Sequence, residues 1–383
     1  DHTKNNNFLY GVNKKEELAM MNYMMLLGLS KIAAGGLIPS ILENSKIRII
    51  AITTKTFNDI DIEINVVEKN CSVFSYSCKQ VAENTTFEEF VSNEDSTSEC
   101  RVSIMSPKCI PTIIKGLIRE NKIAACISTA RSGINFYLNH FKECGIYLPL
   151  NLICMDNSKT TIVNARDYCN TLGLHNIKIS QGITHIICSR TIDKDGQILV
   201  TLDPVLLLTI FPPEAKLLEP YFDISHQLRN KYQMRFTNTS EEFDYLCMSK
   251  LIDVNILHTI VCMMAYRKAH AQNIHMVDAE KLPICNILSE DIIPLVAEMH
   301  DKLYDVFLAE LAGKMGESKQ THSMEALLFV KHLFDGVETV GRGIKAEKSY
   351  DRDEKLERHM KFLNMVDYEP INKLVKDFLD LLS

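Results

Sequence analysis

Asn22-Tyr-Met-Met-Leu-Leu-Gly28-Leu-Ser-Lys-Ile-Ala-Ala-Gly35-Gly-Leu-Ile38, followed by Lys46-Ile-Arg-Ile-Ile-Ala-Ile-Thr53, is the stretch that decides the fold. The first apolar run is short and stops at a glycine, which reads as a buried strand. A glycine-bearing turn and a helical segment to about Asn44 follow. The run from Lys46 to Thr53 is a second strand. Strand, turn, helix and strand within about 30 residues is the organisation of a dinucleotide-binding βαβ unit.

The turn departs from the glycine fingerprint of such units. Where G-x-G-x-x-G is expected, the chain has Gly28-x-Ser30-x-x-Ala33. Ser and Ala are the smallest residues that carry a Cβ, so a pyrophosphate meets a narrower approach. Ile52-Thr53-Thr54 at the end of the second strand offers no carboxylate for ribose hydroxyls. That leaves NADP open beside NAD, with Lys55 as a partner for a 2′-phosphate. A glycine turn with no ligand at all is the plain alternative.

Outward from this unit, short apolar runs alternate with helical patterns, the mark of an α/β sheet. Residues 57 to 100 read as strand-like runs with polar spacers, and Glu83–Glu99, with six carboxylates, as an exposed segment. Arg101-Val-Ser-Ile-Met-Ser106-Pro107 is a strand ending in a turn, with a helical stretch through Glu120. Ile123 opens another short apolar run, Asn135–Lys142 looks helical, and Leu148–Met155 is a strand ending in Asp156-Asn157-Ser158. An amide at the end of a parallel strand is where open α/β sheets put ligand contacts. Arg166–Leu172 reads as helix and Ile183–Arg190 as one more buried strand.

After about residue 195 the character changes. Gly196–Leu202 is strand-like and Pro204–Pro220 is punctuated by proline. From Ser240 onward the period is mostly helical, over 241–271, 288–313, 323–335, 352–364 and 370–382. We therefore expect a Rossmann-type domain over 1–195 and a mainly α-helical domain over 196–383, with an active site between the halves. Within the first helical stretch lies Lys250-Leu-Ile-Asp-Val-Asn255-Ile-Leu-His258. At 100° per residue, Asn255 and His258 stand about 140° and about 80° around the axis from Lys250. An amine, an amide and an imidazole on one face can serve carbonyl/alcohol redox chemistry. They can equally be the wet side of an amphipathic helix.

The bulk composition narrows the classes. At 383 residues the chain is long enough for two cores. A formal charge of −7, with no dense Lys/Arg run, argues against nucleic acid as a partner. No apolar stretch reaches membrane-span length, and Asp1-His-Thr-Lys-Asn-Asn-Asn lacks the apolar core of a secretory signal. The 12 cysteines are scattered without a CxxC pair, which fits buried reduced thiols in a cytoplasmic protein better than disulfides or a zinc site. On that reading the sequons at Asn84 and Asn238 are chance matches.

Lys250-x4-Asn255-x2-His258 resembles the signature of the polyol-specific long-chain dehydrogenases/reductases, and within them the mannitol-1-phosphate 5-dehydrogenases. The likeness runs from Tyr23 to about Leu363. Gly28–Ile38 resembles that family's G-A-G-N-I-G-R-G-F-I-G loop, and Ser103-Ile-Met-Ser-Pro107 its T-A-V-G-P turn. Asn151-Leu-Ile-Cys-Met-Asp156-Asn157 resembles N-I-I-A-C-E-N, and Cys188-Ser189-Arg190 resembles V-D-R. Val340-Gly341-Arg342-Gly-Ile-Lys345 with Asp351-Arg352 resembles V-G-R-x-P-x-R-K-L…D-R.

The resemblance implies metal-independent hydride transfer between mannitol 1-phosphate and fructose 6-phosphate, with NAD or NADP as cofactor. It makes Lys250 the general base, Asn157 and Asn255 the amides that polarise the reacting oxygen, and His258 a ligand of substrate hydroxyls. Gly28, Ser30, Lys31, Ile32, Ala33, Ser106 and Pro107 become the cofactor contacts. Arg342, Lys345 and Arg352 become candidates for the anionic group, since Arg suits bidentate phosphate contact; a solvated basic turn is their other reading. The resemblance also implies a monomer whose only partner is a small sugar or polyol phosphate. Four departures stand out: Ser30 and Ala33 for glycines, Ala34 for an arginine, and Ser189 for the aspartate of V-D-R. They support a second reading, a catalytically silent member kept as a structural or interaction protein, beside a sibling dehydrogenase of free mannitol or a sugar acid.

Overall fold

The computed structural model describes residues 23–55, 57, 59–68, 71–93, 99–147, 149–156, 159–185, 188–194, 197–202, 207–223, 232–250, 257–274, 281–289, 292–310, 339–341, 343–345, 373, 377 and 380. The described residues of Asp1–Leu202 and Leu207–Phe236 form one compact unit, and those of Thr237–Ser383 form another.

The first unit is built on twelve strands: β1 (Tyr23–Leu27), β2 (Arg48–Ile52), β3 (Asp61–Glu68), β4 (Cys71–Gln80), β5 (Val102–Met105), β6 (Ile123–Ser128), β7 (Leu150–Met155), β8 (Ile177–His185), β9 (Cys188–Lys194), β10 (Gln197–Leu202), β11 (Leu207–Phe211) and β12 (Tyr232–Phe236). Their order is β12-β11-β8-β7-β6-β1-β2-β5-β4-β3-β10-β9. The six central strands, β5-β2-β1-β6-β7-β8, are all parallel. Numbered by their own succession they run 3-2-1-4-5-6, the doubly wound Rossmann order. The fold is thus α/β with a parallel-dominated sheet, as the opening stretch indicated. All five residues of β1 are buried, which is why it reads as an unbroken apolar run rather than an alternation.

Helices cover both faces. A π-helical turn, Ala33–Leu37, runs into α1 (Ile38–Asn44). That segment packs on the face formed by Met24, Leu26, Ile49 and Ala51. The opposite face, with Met25, Leu27, Ile50 and Leu152, receives α2 (Phe87–Asn93), α3 (Lys115–Arg119), α4 (Ile134–Glu143) and α5 (Lys159–Leu172) through Phe90, Leu117, Phe141 and Ala165. Each of the larger side chains among these, such as Leu117 and Phe141, contributes on the order of 1.5–3 kcal/mol through burial.

The sheet curls around the first helix. β8 and β9 stand nine places apart in the sheet, about 43 Å if it were flat, yet the chain from His185 to Cys188 reaches at most about 11 Å. The two ends of the sheet meet over the helix. Tyr232 of β12 lies edge-on to Phe74 of β4, ring centres 5.5 Å apart, and buries against Val66 of β3. Every residue from Ala33 to Ile41 is buried as a result, which accounts for a helix apolar on all sides.

Three expectations change. Ile183–Arg190 is not one strand: Ile183–His185 closes β8, and Cys188 opens β9, which pairs antiparallel with β10. The Pro-punctuated stretch contains β11 and a 3₁₀ segment, Pro213–Tyr221. The composition change near residue 195 therefore falls inside the first unit, because β10, β11 and β12 hydrogen-bond into its sheet. Glu83–Glu99 is not wholly exposed, since it carries α2 with Phe90 4% accessible.

The described part of the second unit is mainly helical: α6 (Ser240–Lys250), α7 (His258–Ala271), a 3₁₀ turn (Ile284–Asn286) and α8 (Ile293–Glu310). Leu257, Val261, Met264, Val296 and Leu303 are fully buried there. The helices expected over 323–335 and 352–364 lie outside the described residues. Among the described residues no helix is long and apolar enough to cross a membrane.

Candidate functional site

In a sheet of this order the ligand crevice opens where the strand succession reverses, at the carboxyl ends of β1 and β6. The residue that leaves β1 there is Gly28, with φ +83°. A side chain at this position would be strained and would press on Ala130 Cβ at 3.3 Å. The turn is held from three sides. Gly28 N–H donates to Ile52 O at 2.8 Å, and Thr129 Oγ1, just past β6, donates to Gly28 O at 2.9 Å. The Tyr137 hydroxyl, from α4, donates to the same Ile52 oxygen at 3.2 Å. Burial, then the nearby Cys126 thiol, pushes the Tyr137 phenol above its usual range, so it stays a neutral donor.

Ser30 does more than replace a glycine. Its Oγ accepts from Ala33 N at 3.1 Å and its carbonyl accepts from Ala34 N at 2.9 Å. That is an N-cap bond, and it gives one of the first helical amides an internal partner. Lys31 at the start of the helix is exposed, while Ser30 and Ile32 are half-buried.

Behind the turn, Pro39 has no N–H to donate. Ile38 N–H closes the π turn on Ala33 O. The next such donor, for Ala34 O, falls at Pro39, as does the α-helical donor for Gly35 O. Two tyrosines from the ends of the sheet fill these places: Tyr76 donates to Ala34 O at 2.8 Å and Tyr232 to Gly35 O at 3.0 Å.

The neighbouring strand ends complete this edge. Past β2, Thr53 is buried and Thr54 and Lys55 are exposed, with Lys55 N–H on Thr53 Oγ1 at 3.1 Å. Past β5, Ser106 caps a 3₁₀ turn, Pro107–Cys109, through Lys108 N–H. Lys108 pairs with Glu83 at 2.8 Å and, with Ser106, holds that exposed carboxyl below its usual value. Past β7, Asp156 is half-buried and its carbonyl accepts from Gln181 Nε2 at 2.7 Å. The structure thus brings Gly28, Ser30, Lys31, Ile32, Ala33, Ser106 and Pro107 to one end of one sheet.

The same edge holds a cavity of about 420 Å³ that the sequence did not reveal. Phe57, Asp59 and Ile60 from the loop after β2, Lys79–Ala82 from the end of β4, and Phe90 and Asn93 of α2 line it. The signals available in the sequence were the capping box Thr86-x-x-Glu89, whose bonds at 2.8–3.2 Å start α2, and an aspartate shortly after a βαβ unit.

In the second unit, Lys250 is the last residue of α6 and His258 the first of α7. Asn157, Asn255, Arg342 and Arg352 lie outside the described residues. Within this unit Gly343 lies directly against the Cys262 carbonyl, where any Cβ would collide. Cys262 is one helical turn beyond His258, so the segment carrying Lys345, which is exposed, docks beside the start of α7. Among the described residues no cluster of His, Cys, Asp and Glu is arranged to hold a metal.

No protein-family model matches the chain, and no curated sequence matches it. Solved structures do resemble it. Octopine dehydrogenase in complex with NADH and agmatine has 10% identity and a TM-score of 0.42, covering 94% of this chain and 90% of that one. Pseudomonas fluorescens mannitol 2-dehydrogenase with NAD and D-mannitol has 10% identity and a TM-score of 0.47, covering 96% and 85%. The 2-dehydropantoate 2-reductase of Geobacter metallireducens has 13% identity and a TM-score of 0.47, covering 94% and 99%.

Proposed function

We propose that the chain is an oxidoreductase that interconverts mannitol 1-phosphate and fructose 6-phosphate with NAD(H) or NADP(H). The observation that carries this is the 3-2-1-4-5-6 sheet with Gly28, at φ +83°, on its switch point. The first unit takes the cofactor role and the second the substrate role. The seat fits a dinucleotide in one respect above all: Gly28, at a φ that side chains rarely adopt, turns the chain sharply off β1 at the switch point and leads straight into the helix start. Lys31 and Ile32 supply amides at the helix start, and Ser106 and Pro107 border it. The cofactor, when bound, supplies the hydride acceptor or donor.

The rest is the chain's own chemistry. Lys250 takes the proton from the alcohol, for which its amine must be neutral; desolvation and nearby positive charge both favour that state. Asn157 and Asn255 donate to the oxygen that becomes the carbonyl, and neutral amides do so without offering a competing acidic proton. His258 holds substrate hydroxyls. Arg342, Lys345 and Arg352 receive the phosphate, and the Gly343 contact with α7 supports that placement for Lys345.

Purified protein mixed with fructose 6-phosphate and NADH or NADPH should consume the reduced cofactor, read as loss of its absorbance. Lys250→Ala should abolish turnover with the fold intact; an unchanged rate would remove the role given to Lys250. A second reading draws on the Ser30 bond to Ala33 N, which occupies an amide that a pyrophosphate would use. On that reading the chain is a catalytically silent structural or interaction protein, and neither dinucleotide binds.

A further inference from the structure

We propose that Arg131 is a phosphate-binding residue, set across the switch point from Gly28 at the end of the neighbouring strand. This rests on the site read above and brings to it a cation from β6. The ligand chemistry is a phosphate, which either the pyrophosphate of the dinucleotide or the phosphate of the sugar supplies.

Backbone conformation singles Arg131 out. Among the described residues, six hold a positive φ: Gly28, Asn121, Arg131, Gly145, Gly173 and Asn273. Asn121, Gly145, Gly173 and Asn273 each follow a helix, where a left-handed residue closes the last turn. Glycine and asparagine take that conformation readily. Gly28 and Arg131 end no helix. One leaves β1 and the other follows β6, the adjacent strands at which the order of the sheet reverses. Arg131 holds φ +48°, which a long side chain adopts only against its own preference. No helix cap accounts for it there, and such strain collects where a ligand is held.

The contacts of its neighbours fix its place. Thr129 N–H donates to Leu27 O at 3.0 Å, and Thr129 Oγ1 donates to Gly28 O at 2.9 Å. Ala130 Cα lies 3.5 Å from where a Cβ on Gly28 would stand. Arg131 is one residue further, so its Cα is within about 9 Å of the Gly28 Cα. The residue is exposed, and among the described residues its guanidinium makes no ion pair or hydrogen bond.

The chemistry fits what the helix start lacks. Ser30 Oγ already holds the Ala33 amide at 3.1 Å, so an anion arriving there meets one donor fewer. A guanidinium offers five N–H groups in a planar fork that matches two phosphate oxygens. Lys31, exposed at the start of the helix, adds a second positive charge at the same edge, without the fork.

Arg131→Gly separates charge from conformation, because it removes the cation and relieves the backbone in one change. The variant should melt about 2–4 °C above wild type, yet bind its phosphate ligand about tenfold more weakly, the scale of one lost charged hydrogen bond. Calorimetry on the full chain uses NADH, NADPH, inorganic pyrophosphate and fructose 6-phosphate. Weaker dinucleotide and pyrophosphate assign Arg131 to the cofactor. Weaker fructose 6-phosphate alone, measured with the dinucleotide present, assigns it to the substrate. Arg131→Lys keeps the charge and the strained backbone and should bind that ligand close to wild type. Unchanged affinity for all four probes in Arg131→Gly overturns the proposal. So does a variant that binds weakly and melts below wild type, since the loop and not the cation then holds the site. If wild type binds neither dinucleotide but binds pyrophosphate, and Arg131→Gly loses it, the dinucleotide reading falls and the phosphate site stands. Wild type that binds none of the four removes both.

Discussion

Gly28 shows how one residue can be read correctly for a reason the sequence only half contains. A glycine after an apolar run signals a turn. The structure adds why nothing else fits: φ is +83° and Ala130 Cβ waits 3.3 Å from any added methyl. Gly28→Ala should cost about 1–2 kcal/mol, read as a lower urea midpoint, and on the proposed function it should weaken dinucleotide binding as well. Equal stability in the variant would mean that the turn relaxes freely. Ser30 was legible as a departure from a glycine fingerprint, but its bond to Ala33 N was not, because a hydroxyl cap is a matter of rotamer and not of residue type. Lys250 and His258 were legible as a spacing, and the structure places them at the end of α6 and the start of α7.

Elements were legible where their period was clear. β1, β2, β6 and β7 fall within a residue or two of the runs that announced them, and α4 matches its helical pattern. The π turn before α1 was not legible, although Pro39, just beyond it, lacks the amide that would close the next turn. Ala34 O and Gly35 O lose a donor there, and Tyr76 and Tyr232 replace it. Tyr232→Phe should leave a buried carbonyl without a partner and destabilise the first unit by about 1–3 kcal/mol. Adding Pro39→Ala should recover part of that loss, because residue 39 regains an N–H. Denaturant midpoints of the three proteins decide it: no recovery would mean that the π turn is set by packing and not by the missing amide. α2 escaped the reading for a different reason, since six carboxylates in a short stretch masked a capping box and a single buried phenylalanine.

Across the first unit, the free thiols follow burial. Cys78, Cys109, Cys126, Cys154 and Cys169 are buried and unpaired in disulfides, as is Cys262 in the second. Burial first, then neighbouring negative charge, pushes Cys154 up to about 12, and burial pushes Cys169 up to about 11, from an ordinary value of 9.0. Cys126 is raised by burial and then by Cys154. The sign follows from linkage: the unfolded chain releases these protons near pH 9 while the folded chain keeps them. Stability is therefore full below about pH 9 and falls as pH rises towards 11–12. The midpoint of thermal unfolding should hold steady from pH 7 to 8.5 and decline above pH 9. A flat profile to pH 10.5 would mean that these thiols reach water in the native state.

The amino-acid sequence by itself determined the α/β class, the strand–turn–helix–strand unit at its head and the mainly helical character of its second half. Those are local properties: period, turn chemistry and run length are carried by residues a few positions apart. Only the tertiary structure decided that the sheet closes around the first helix, that β10 to β12 belong to the first unit, and that Asp59 and Lys79 face one cavity. Tyr232 donates to a carbonyl 197 positions earlier in the chain. A contact of that separation leaves no periodic trace, because each partner satisfies only its own local pattern. The pairing exists only once the sheet has brought them together.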